Sequence, residues 1–171
     1  MERPADQGVC LIVGMITAHP ALFERAAEAL EERFGPATHQ SPVWPFDLTD
    51  YYEPEMGRGL LRKFLAFQRR VDRADLAEIK LWTNDLEKRL VTPDMPVPRP
   101  INLDPGWMDA ARLVLATTKD YAHRIYLQRG IYAEVTLTFA RGGFRPMPWT
   151  YPDYRSEHYH AFFRAVRDDL L

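Results

Sequence analysis

Apolar and polar positions along the first third of the chain alternate in ways that predict a strand and then a helix. The run "VCLIVGMI" starts at Val9, is rich in valine and isoleucine, and predicts a buried strand over residues 9–17. "HPALFERAAEALEERFGP" follows, with Pro20 in a first-turn position and Gly35 and Pro36 ending the helix. The apolar stripe of this helix is Leu22, Phe23, Ala26, Ala27, Leu30 and Phe34.

Two further strand-like segments follow the first helix. Val43, Trp44 and Phe46 favour a strand, but Pro42 and Pro45 lack a backbone donor, so it is an edge or irregular strand. "RKFLAFQRRV" is rich in phenylalanine, is flanked by charge, and predicts another strand.

The middle of the chain predicts a second and a third helix, separated by an extended loop. Asp72 can cap a helix whose apolar face is Leu76, Ile79, Thr83, Leu86 and Leu90. The proline-rich "TPDMPVPRP" then predicts a stiff loop. "INLDPGWMDAARLVLAT" predicts a short strand running into a helix, with Asp104 as N-cap and Pro105 as first residue. A type II turn centred on Pro105 and Gly106 is the alternative.

From residue 123 the pattern has period two and predicts a three-stranded meander. Its strands are "HRIYLQ", "IYAEVTLTFA" and "FRPMPW", with turns at Arg129–Gly130 and Gly142–Gly143. Ser156 can cap a last helix whose apolar residues are Phe162, Phe163, Val166 and Leu170.

These elements predict an α+β fold in a single domain, residues 1–171. Residues 9–104 match a split βαβ (ferredoxin-like) arrangement, an antiparallel sheet with helices packed on it. Residues 105–171 are expected to add a helix, the meander that extends the sheet, and the C-terminal helix.

Composition and charge narrow the class of protein. The chain has 171 residues, 46% hydrophobic and 27% charged, which is typical of a globular protein. A net charge of −2 argues against nucleic acid as a partner. The polar start and the short first apolar run argue against a signal peptide or a membrane span, and the single cysteine, Cys10, fits a reducing cytoplasm.

No motif defines a reaction. The serine-hydrolase elbow and the Rossmann and P-loop glycine patterns are absent, and no histidine or cysteine pair has zinc spacing. The sequence therefore predicts no metal site, names no cofactor, and leaves open whether the protein is an enzyme.

Three polar clusters remain as candidate sites. The first is "FDLTDYYEPEMG", where four carboxylates, Asp47, Asp50, Glu53 and Glu55, offer oxygen ligands for a hard cation. The favoured interpretation is an acidic surface loop, because the spacing is not that of a known calcium loop.

The second cluster, "TTKDYAHRIYL", carries Lys119, Asp120, His123 and Arg124. Lys119 is expected near the C-terminal carbonyls of the third helix, where the dipole favours a cation. His123 and Arg124 are expected to start the next strand and to face opposite sides of the sheet. With the turn near residues 129–130, Glu134 would lie opposite Ile125 or Arg124 and could form a cross-strand ion pair with Arg124.

The third cluster is "PWTYPDYRSEHYH", in which aromatic residues surround Asp153 and Arg155. Such a cluster can form a stacking platform for a base or sugar. More often, tryptophan and tyrosine beside prolines hold a terminal helix against its domain.

Several blocks resemble a known bacterial family. "WPFDLTDYYEPEMG", "LAEIKLWTNDLE", "INLDPGWM", "LVLATTKDYAHRIYL", "GIYAEVTL" and "PWTYPDYRS" are similar to the domain of unknown function 4416 family, over residue 10 to about 168. The resemblance implies a single-domain cytoplasmic protein and no assigned activity. Some members are labelled GTP-binding, but this chain lacks a phosphate loop, and its "TKD" lacks the residue between Lys and Asp of the base-reading motif.

Two functions are consistent with the sequence. The first is a pocket for a small anionic ligand where the three clusters converge. The tentative ligand-binding residues are Asp47, Asp50, Lys119, Asp120, His123, Arg124, Glu134, Asp153 and Arg155. In that pocket the cations would hold the anion, and Asp47 or Asp50 would hold a metal or serve as a base. The alternative is a non-catalytic binding or assembly module, such as a homodimer formed through a sheet edge.

Overall fold

The computed structural model describes residues 8–171, which form an α+β fold with a nine-stranded antiparallel open sheet and four helices. The strands are β1 Cys10–Thr17, β2 Ala37–Gln40, β3 Trp44–Pro45, β4 Leu61–Phe67, β5 Ile101–Met108, β6 Arg112–Thr117, β7 Ile125–Gln128, β8 Ile131–Ala140 and β9 Gly143–Pro146. The helices are α1 Pro20–Phe34, α2 Glu53–Met56, α3 Leu76–Arg89 and α4 Glu157–Leu170. Short 3-10 turns span Arg73–Asp75 and Pro152–Arg155.

The strand order is β2-β4-β1-β5-β6-β8-β7, and every neighbouring pair is antiparallel. β3 adds to the outer edge of β4, and β9 pairs with β8. The predicted first strand, first helix and Phe-rich strand are confirmed as β1, α1 and β4. Asp72 accepts a hydrogen bond from the Ala74 N–H and so caps the 3-10 turn that leads into α3.

Strand β1 lies at the centre of the sheet, and helices cover both of its faces, which explains its unbroken apolar run. On one face Leu11 and Val13 pack with the buried sides of α1 and α3. On the other face Cys10 and Ile12 pack with α4. Burial raises the pKa of the Cys10 thiol to about 11, so this cysteine is an inert core residue.

The helix predicted after Asp104 is wrong, as is the alternative turn, because residues 101–117 form the hairpin strands β5 and β6. Asp104 and Pro105 lie inside β5 and are not a helix cap. Both faces of β6 pack against other residues, with Leu113 on one side and Val114 on the other, so its apolar run lacks the alternation of a half-exposed strand. A Cβ at Gly106 would collide with the Val114 carbonyl oxygen, which shows how closely the two strands approach.

The predicted meander is also corrected. β6 occupies one edge of β8, and β7 and β9 share the other edge at opposite ends of that strand. At the start of α4, Ser156 has the N-cap position, but its hydroxyl donates to the Asp153 carbonyl instead of accepting from the helix.

Candidate functional site

A cavity of about 780 Å³ opens where the sheet splits between β5 and β6. The pairing of these strands stops at Gly106 and Leu115. Pro105, which has no N–H to donate, occupies the position where the next pair would form. Beyond that point Asp104 and Ala116 line the two sides of the cavity. The loop before α2 and the 3-10 turn before α4 form further parts of its wall.

Arg62 of β4 organises the inner end of this cavity, defined here as Arg62, Lys80, Asn102, Asp104, Asp153 and Tyr154. The guanidinium donates from Nη1 to Asp104 Oδ2 at 3.0 Å and from Nη2 to Asp153 Oδ2 at 3.2 Å. Its Nε donates to the Tyr159 hydroxyl at 3.1 Å. The residue is 2% exposed, so these partners replace its hydration shell.

Gly14 of β1 makes room for this guanidinium. A Cβ at that position would lie 2.7 Å from Arg62 Nη1 and 2.8 Å from Phe64 Cε1. The glycine inside the apolar run of β1 is therefore explained by the site beside it.

Opposite charges at the inner end stabilise each other's ionised forms. Burial acts to raise the pKa of Asp104, but Arg62 and then Lys80 lower it. As a result, the pKa of Asp104 lies below its usual value. Burial acts to lower the pKa of Arg62, yet nearby tyrosines and the two aspartates hold it well above its usual value. Both groups are therefore ionised at neutral pH.

The Tyr154 hydroxyl at the inner end has no hydrogen-bond partner among residues 8–171. Asn102 Nδ2 makes no close hydrogen bond there either, but the Asn102 side chain interacts with Asp104 and helps to lower the pKa of that carboxyl. Asn102 and Tyr154 are 2% and 3% exposed, and both line the cavity. Burial raises the pKa of Tyr154 well above its usual value, so its hydroxyl stays protonated. Unpartnered buried donors are rare in proteins, and a cavity wall is where a ligand can pair with them.

Lys80 reaches the inner end from α3, on the opposite side of the sheet. Its Nζ donates to the Leu103 carbonyl at 3.0 Å, and the residue is 6% exposed. It forms no ion pair with a carboxylate of the described residues, so its charge is offset only at longer range, by groups such as Asp104.

Exposed tyrosines surround the mouth of the cavity, defined here as Tyr51, Lys119, Tyr121, Arg124 and Tyr151. Lys119 donates from Nζ to the Tyr51 hydroxyl at 2.5 Å and lies 3.9 Å from the centre of that ring. Within residues 8–171 Lys119 has no carboxylate partner. It is therefore a cation held in place at the mouth and free to meet an anion.

Arg124 lies deeper in the wall of the mouth and is largely engaged. Its Nε donates to Glu134 Oε2 at 2.7 Å and its Nη1 to the Lys119 carbonyl at 3.1 Å. Nη2 has only a 3.5 Å contact with the Tyr151 hydroxyl among the described residues, so this nitrogen has capacity for a further hydrogen bond. The predicted Arg124–Glu134 pair is confirmed.

Two expectations for this segment are wrong. β6 ends at Thr117, so Lys119 follows a strand and not a helix. His123 and Arg124 precede β7 and do not face opposite sides of the sheet, because both contact Glu134 Oε2, His123 through Nε2 at 2.9 Å. The turn in which the Arg124 N–H donates to the Tyr121 carbonyl brings the two side chains together.

The structure brings four of the nine predicted residues, Lys119, Arg124, Glu134 and Asp153, into the lining of the cavity. His123 supports the site through Glu134 and stacks on Trp149 with ring centres 4.8 Å apart.

The other four predicted residues lie outside this cavity. Asp47 and Asp50 line a smaller one of about 540 Å³. Asp120 is exposed, and Arg155 binds the carbonyls of Thr150 and Met147, which fixes the turn before α4. Among residues 8–171, no group of three or more His, Cys, Asp or Glu side chains is placed to hold a metal ion.

Sequence reasoning missed most of the inner end. Arg62 occupies a buried position of β4 between Leu61 and the half-buried Lys63, and Lys80 occupies a buried position of α3 next to Ile79. Both are charged residues where the pattern calls for apolar ones, and this was the available signal. Asp104 was mistaken for a helix cap. Arg99, at the end of the proline-rich loop, donates to Asn102 Oδ1 and lies 3.4 Å from Glu87 Oε1.

Comparison with known proteins gives a family but no activity. No curated protein and no solved structure matches the chain. None of the helices in residues 8–171 is both long and apolar enough to cross a bilayer. The model of the family described as a domain of unknown function, DUF4416, matches residues 7–170, and the chain belongs to that family.

Proposed function

We propose that the cavity binds a small molecule that carries an anionic group, a phosphate or a carboxylate, at the mouth. The observation that carries the proposal is Lys119, a cation positioned by Tyr51 with no carboxylate partner in the described residues. Arg124 Nη2 offers a second donor on the same side of the cavity. Lysine and arginine together are a common means of holding phosphate or carboxylate.

The charge balance of the lining supports an anion. The charged residues that line the cavity are Arg62, Lys80, Arg99, Lys119, Arg124, Glu55, Asp104, Glu134 and Asp153. Five cations against four anions leave a net charge of +1 in a protein whose overall charge is −2. The volume of about 780 Å³ lies within the range of small-molecule sites, roughly 300–1,000 Å³.

We propose ligand binding at this cavity and do not propose a catalytic reaction there. Asp47 and Asp50 were the expected metal ligands or base, and both line the smaller cavity instead. Glu134 is occupied by Arg124 and His123 and by a hydrogen bond from the Thr136 hydroxyl at 3.2 Å. Its role in the proposal is to hold Arg124 in position.

Thermal unfolding in the presence of anions tests the proposal. The panel consists of inorganic phosphate, phosphate esters, nucleotides, carboxylic acids and divalent metals. A ligand at a hundred times its Kd raises the free energy of unfolding by about 2.7 kcal/mol, which is visible as a higher Tm. We expect phosphate or carboxylate ligands to stabilise the protein and Lys119→Met to remove most of the effect.

Lys88→Met is the matched control, because Lys88 lies on the exposed face of α3 with its side chain 81% exposed. It should respond to ligands like the unmodified protein. Absence of stabilisation by every anion, or equal loss in both variants, would contradict the proposal.

A second candidate function, assembly through a sheet edge, is favoured by strand β7. Ile125, Tyr126 and Leu127 are 70%, 57% and 39% exposed at the end of the strand order. An exposed apolar edge strand can pair with another chain. We expect a homodimer in sedimentation at micromolar concentration if this is the function, and Ile125→Lys should make it monomeric. A monomer at all concentrations would exclude self-assembly.

We also propose a ferredoxin-like arrangement for the N-terminal part within a single-domain protein. The order β2-β4-β1-β5, with α1 and α3 on one face, supports it. A bacterial source and a cytoplasmic location are proposed from the resemblance, and the buried free thiol of Cys10 suits a reducing compartment.

A further inference from the structure

The inner end of the cavity differs from the mouth in its charge. Arg62 and Lys80 contribute two positive charges there, and Asp104 and Asp153 contribute two negative ones, so the sum is zero. At the mouth, Lys119 and Arg124 outnumber Glu134. The two ends therefore suit different chemical groups of one ligand.

Electrostatics restricts what the inner end can take. A second anionic group would approach the Asp104 carboxylate, whose side chain is 22% exposed, and an ammonium group would approach Arg62 and Lys80. Either charge would meet a like charge in a partly buried site. Only an uncharged group would meet no like charge at the inner end.

Hydrogen bonding restricts the group further. The buried Tyr154 hydroxyl is a donor without a partner in the described residues, whereas the Asn102 side chain interacts with Asp104 and helps to lower the pKa of that carboxyl. Asp104 only accepts when ionised. An uncharged group that serves both Tyr154 and Asp104 must accept and donate hydrogen bonds, and an alcohol hydroxyl does both.

We propose that the inner end binds hydroxyl groups, so that the ligand is a polyhydroxylated anion of the sugar phosphate class, with its phosphate at Lys119. This inference rests on the proposed function, which places the anion at the mouth. The hydroxyl of Tyr154 donates to the sugar, and Asp104 accepts from it.

Two phosphate esters separate this inference from the proposed function. Glucose 6-phosphate and hexyl phosphate carry the same anion on six carbons, but only the first has hydroxyls to offer. Calorimetric titration should give a Kd for glucose 6-phosphate at least roughly tenfold lower, since one hydrogen bond in a buried site accounts for about that factor.

Tyr154→Phe tests the named donor. Because this hydroxyl bonds to no other described residue, its loss should leave the fold intact. We expect the affinity for glucose 6-phosphate to fall about tenfold while that for hexyl phosphate is unchanged. Tyr126→Phe, on the exposed strand β7, is the matched control and should change neither affinity.

The outcomes are distinct. Equal binding of the two esters, or tighter binding of hexyl phosphate, overturns the hydroxyl inference and leaves the anion site standing. Binding of neither ester overturns both. A preference for glucose 6-phosphate that Tyr154→Phe leaves unchanged removes Tyr154 from the site and contradicts the assignment of its hydroxyl as a donor to the sugar.

Discussion

Tyr154 carries a hydroxyl that the protein itself does not use. The residue is 3% exposed, and the oxygen has no hydrogen-bond partner in residues 8–171. A buried polar group left unpaired is destabilising by about 1–3 kcal/mol. We therefore predict that Tyr154→Phe leaves the free energy of unfolding unchanged or raises it by about 1 kcal/mol, measured by urea denaturation without ligand.

Tyr159→Phe is the comparison for this prediction. The Tyr159 hydroxyl accepts from Arg62 Nε at 3.1 Å, so its loss leaves a buried donor unpaired. This variant should lower the free energy of unfolding by about 1–3 kcal/mol. If Tyr154→Phe destabilises the protein as much as Tyr159→Phe does, the Tyr154 hydroxyl has a partner after all.

Asp104 makes stability depend on pH in the acid range. Its pKa in the folded protein lies below its usual value, so the ionised form stabilises the fold. That contribution is complete above the unfolded pKa, about 3.9, and is lost as pH falls through the lower folded pKa. We predict that Asp104→Asn has a lower free energy of unfolding than the unmodified protein at pH 6. The difference between the two proteins should shrink below about pH 4.

Urea denaturation at a series of pH values checks this, with Asp47→Asn as the control because Asp47 is exposed. The control should differ little from the unmodified protein at any pH. A difference for Asp104→Asn that stays constant from pH 6 to pH 3 would show that Asp104 contributes no pH-dependent stability.

At the scale of elements, the hairpin of β5 and β6 decides whether the cavity exists at all. If residues 105–118 were a helix, Gly106→Ala would stabilise the protein by up to about 1 kcal/mol. In the hairpin the added methyl group meets the Val114 carbonyl and the Leu115 side chain. We predict that Gly106→Ala lowers the free energy of unfolding by about 1–3 kcal/mol, as overpacking does.

Gly143→Ala controls for the loss of glycine itself, because nothing lies within 4 Å of a Cβ at that position. Thermal and urea denaturation of both variants give the comparison. Stabilisation by Gly106→Ala would contradict the hairpin.

The elements that could be predicted from sequence were those with a dense apolar run or a clear period. Helix α1 and strand β4 are examples, and the Arg124–Glu134 pair followed from the register of β7 against β8. The third helix failed because "LDPG" has the local chemistry of a helix start, and tertiary pairing with β1 overrides it.

The site was predicted mainly at its mouth, where polar residues cluster along the chain, and Asp153 is the one inner-end residue among those predicted. Arg62, Lys80 and Asp104 lie far apart in sequence, on β4, α3 and β5. Pairing of β4, β1 and β5 brings Arg62 and Asp104 together, and Gly14 leaves the space between them. No local sequence pattern shows which of these charged residues come together, so the contact between Arg62 and Asp104 could not be predicted.

At the scale of the whole molecule, one cavity collects five of the cations in a chain that is acidic overall. Most of these cations already have carboxylate partners, and Lys119 is the one at the mouth that has none among residues 8–171. The central claim is therefore that Lys119 holds the anionic group of a ligand. A lysine–phosphate contact contributes about 1.5–3 kcal/mol, or roughly tenfold to a hundredfold in Kd.

Calorimetric titration of glucose 6-phosphate into the unmodified protein, Lys119→Met and Lys88→Met tests this claim most directly. We predict one site per chain, a Kd at least tenfold weaker in Lys119→Met, and no change in Lys88→Met. The effect should shrink with added salt, because the lost interaction is between charges. Equal affinity in all three proteins, or absence of binding of glucose 6-phosphate and of every other anion of the panel to the unmodified protein, would contradict the account.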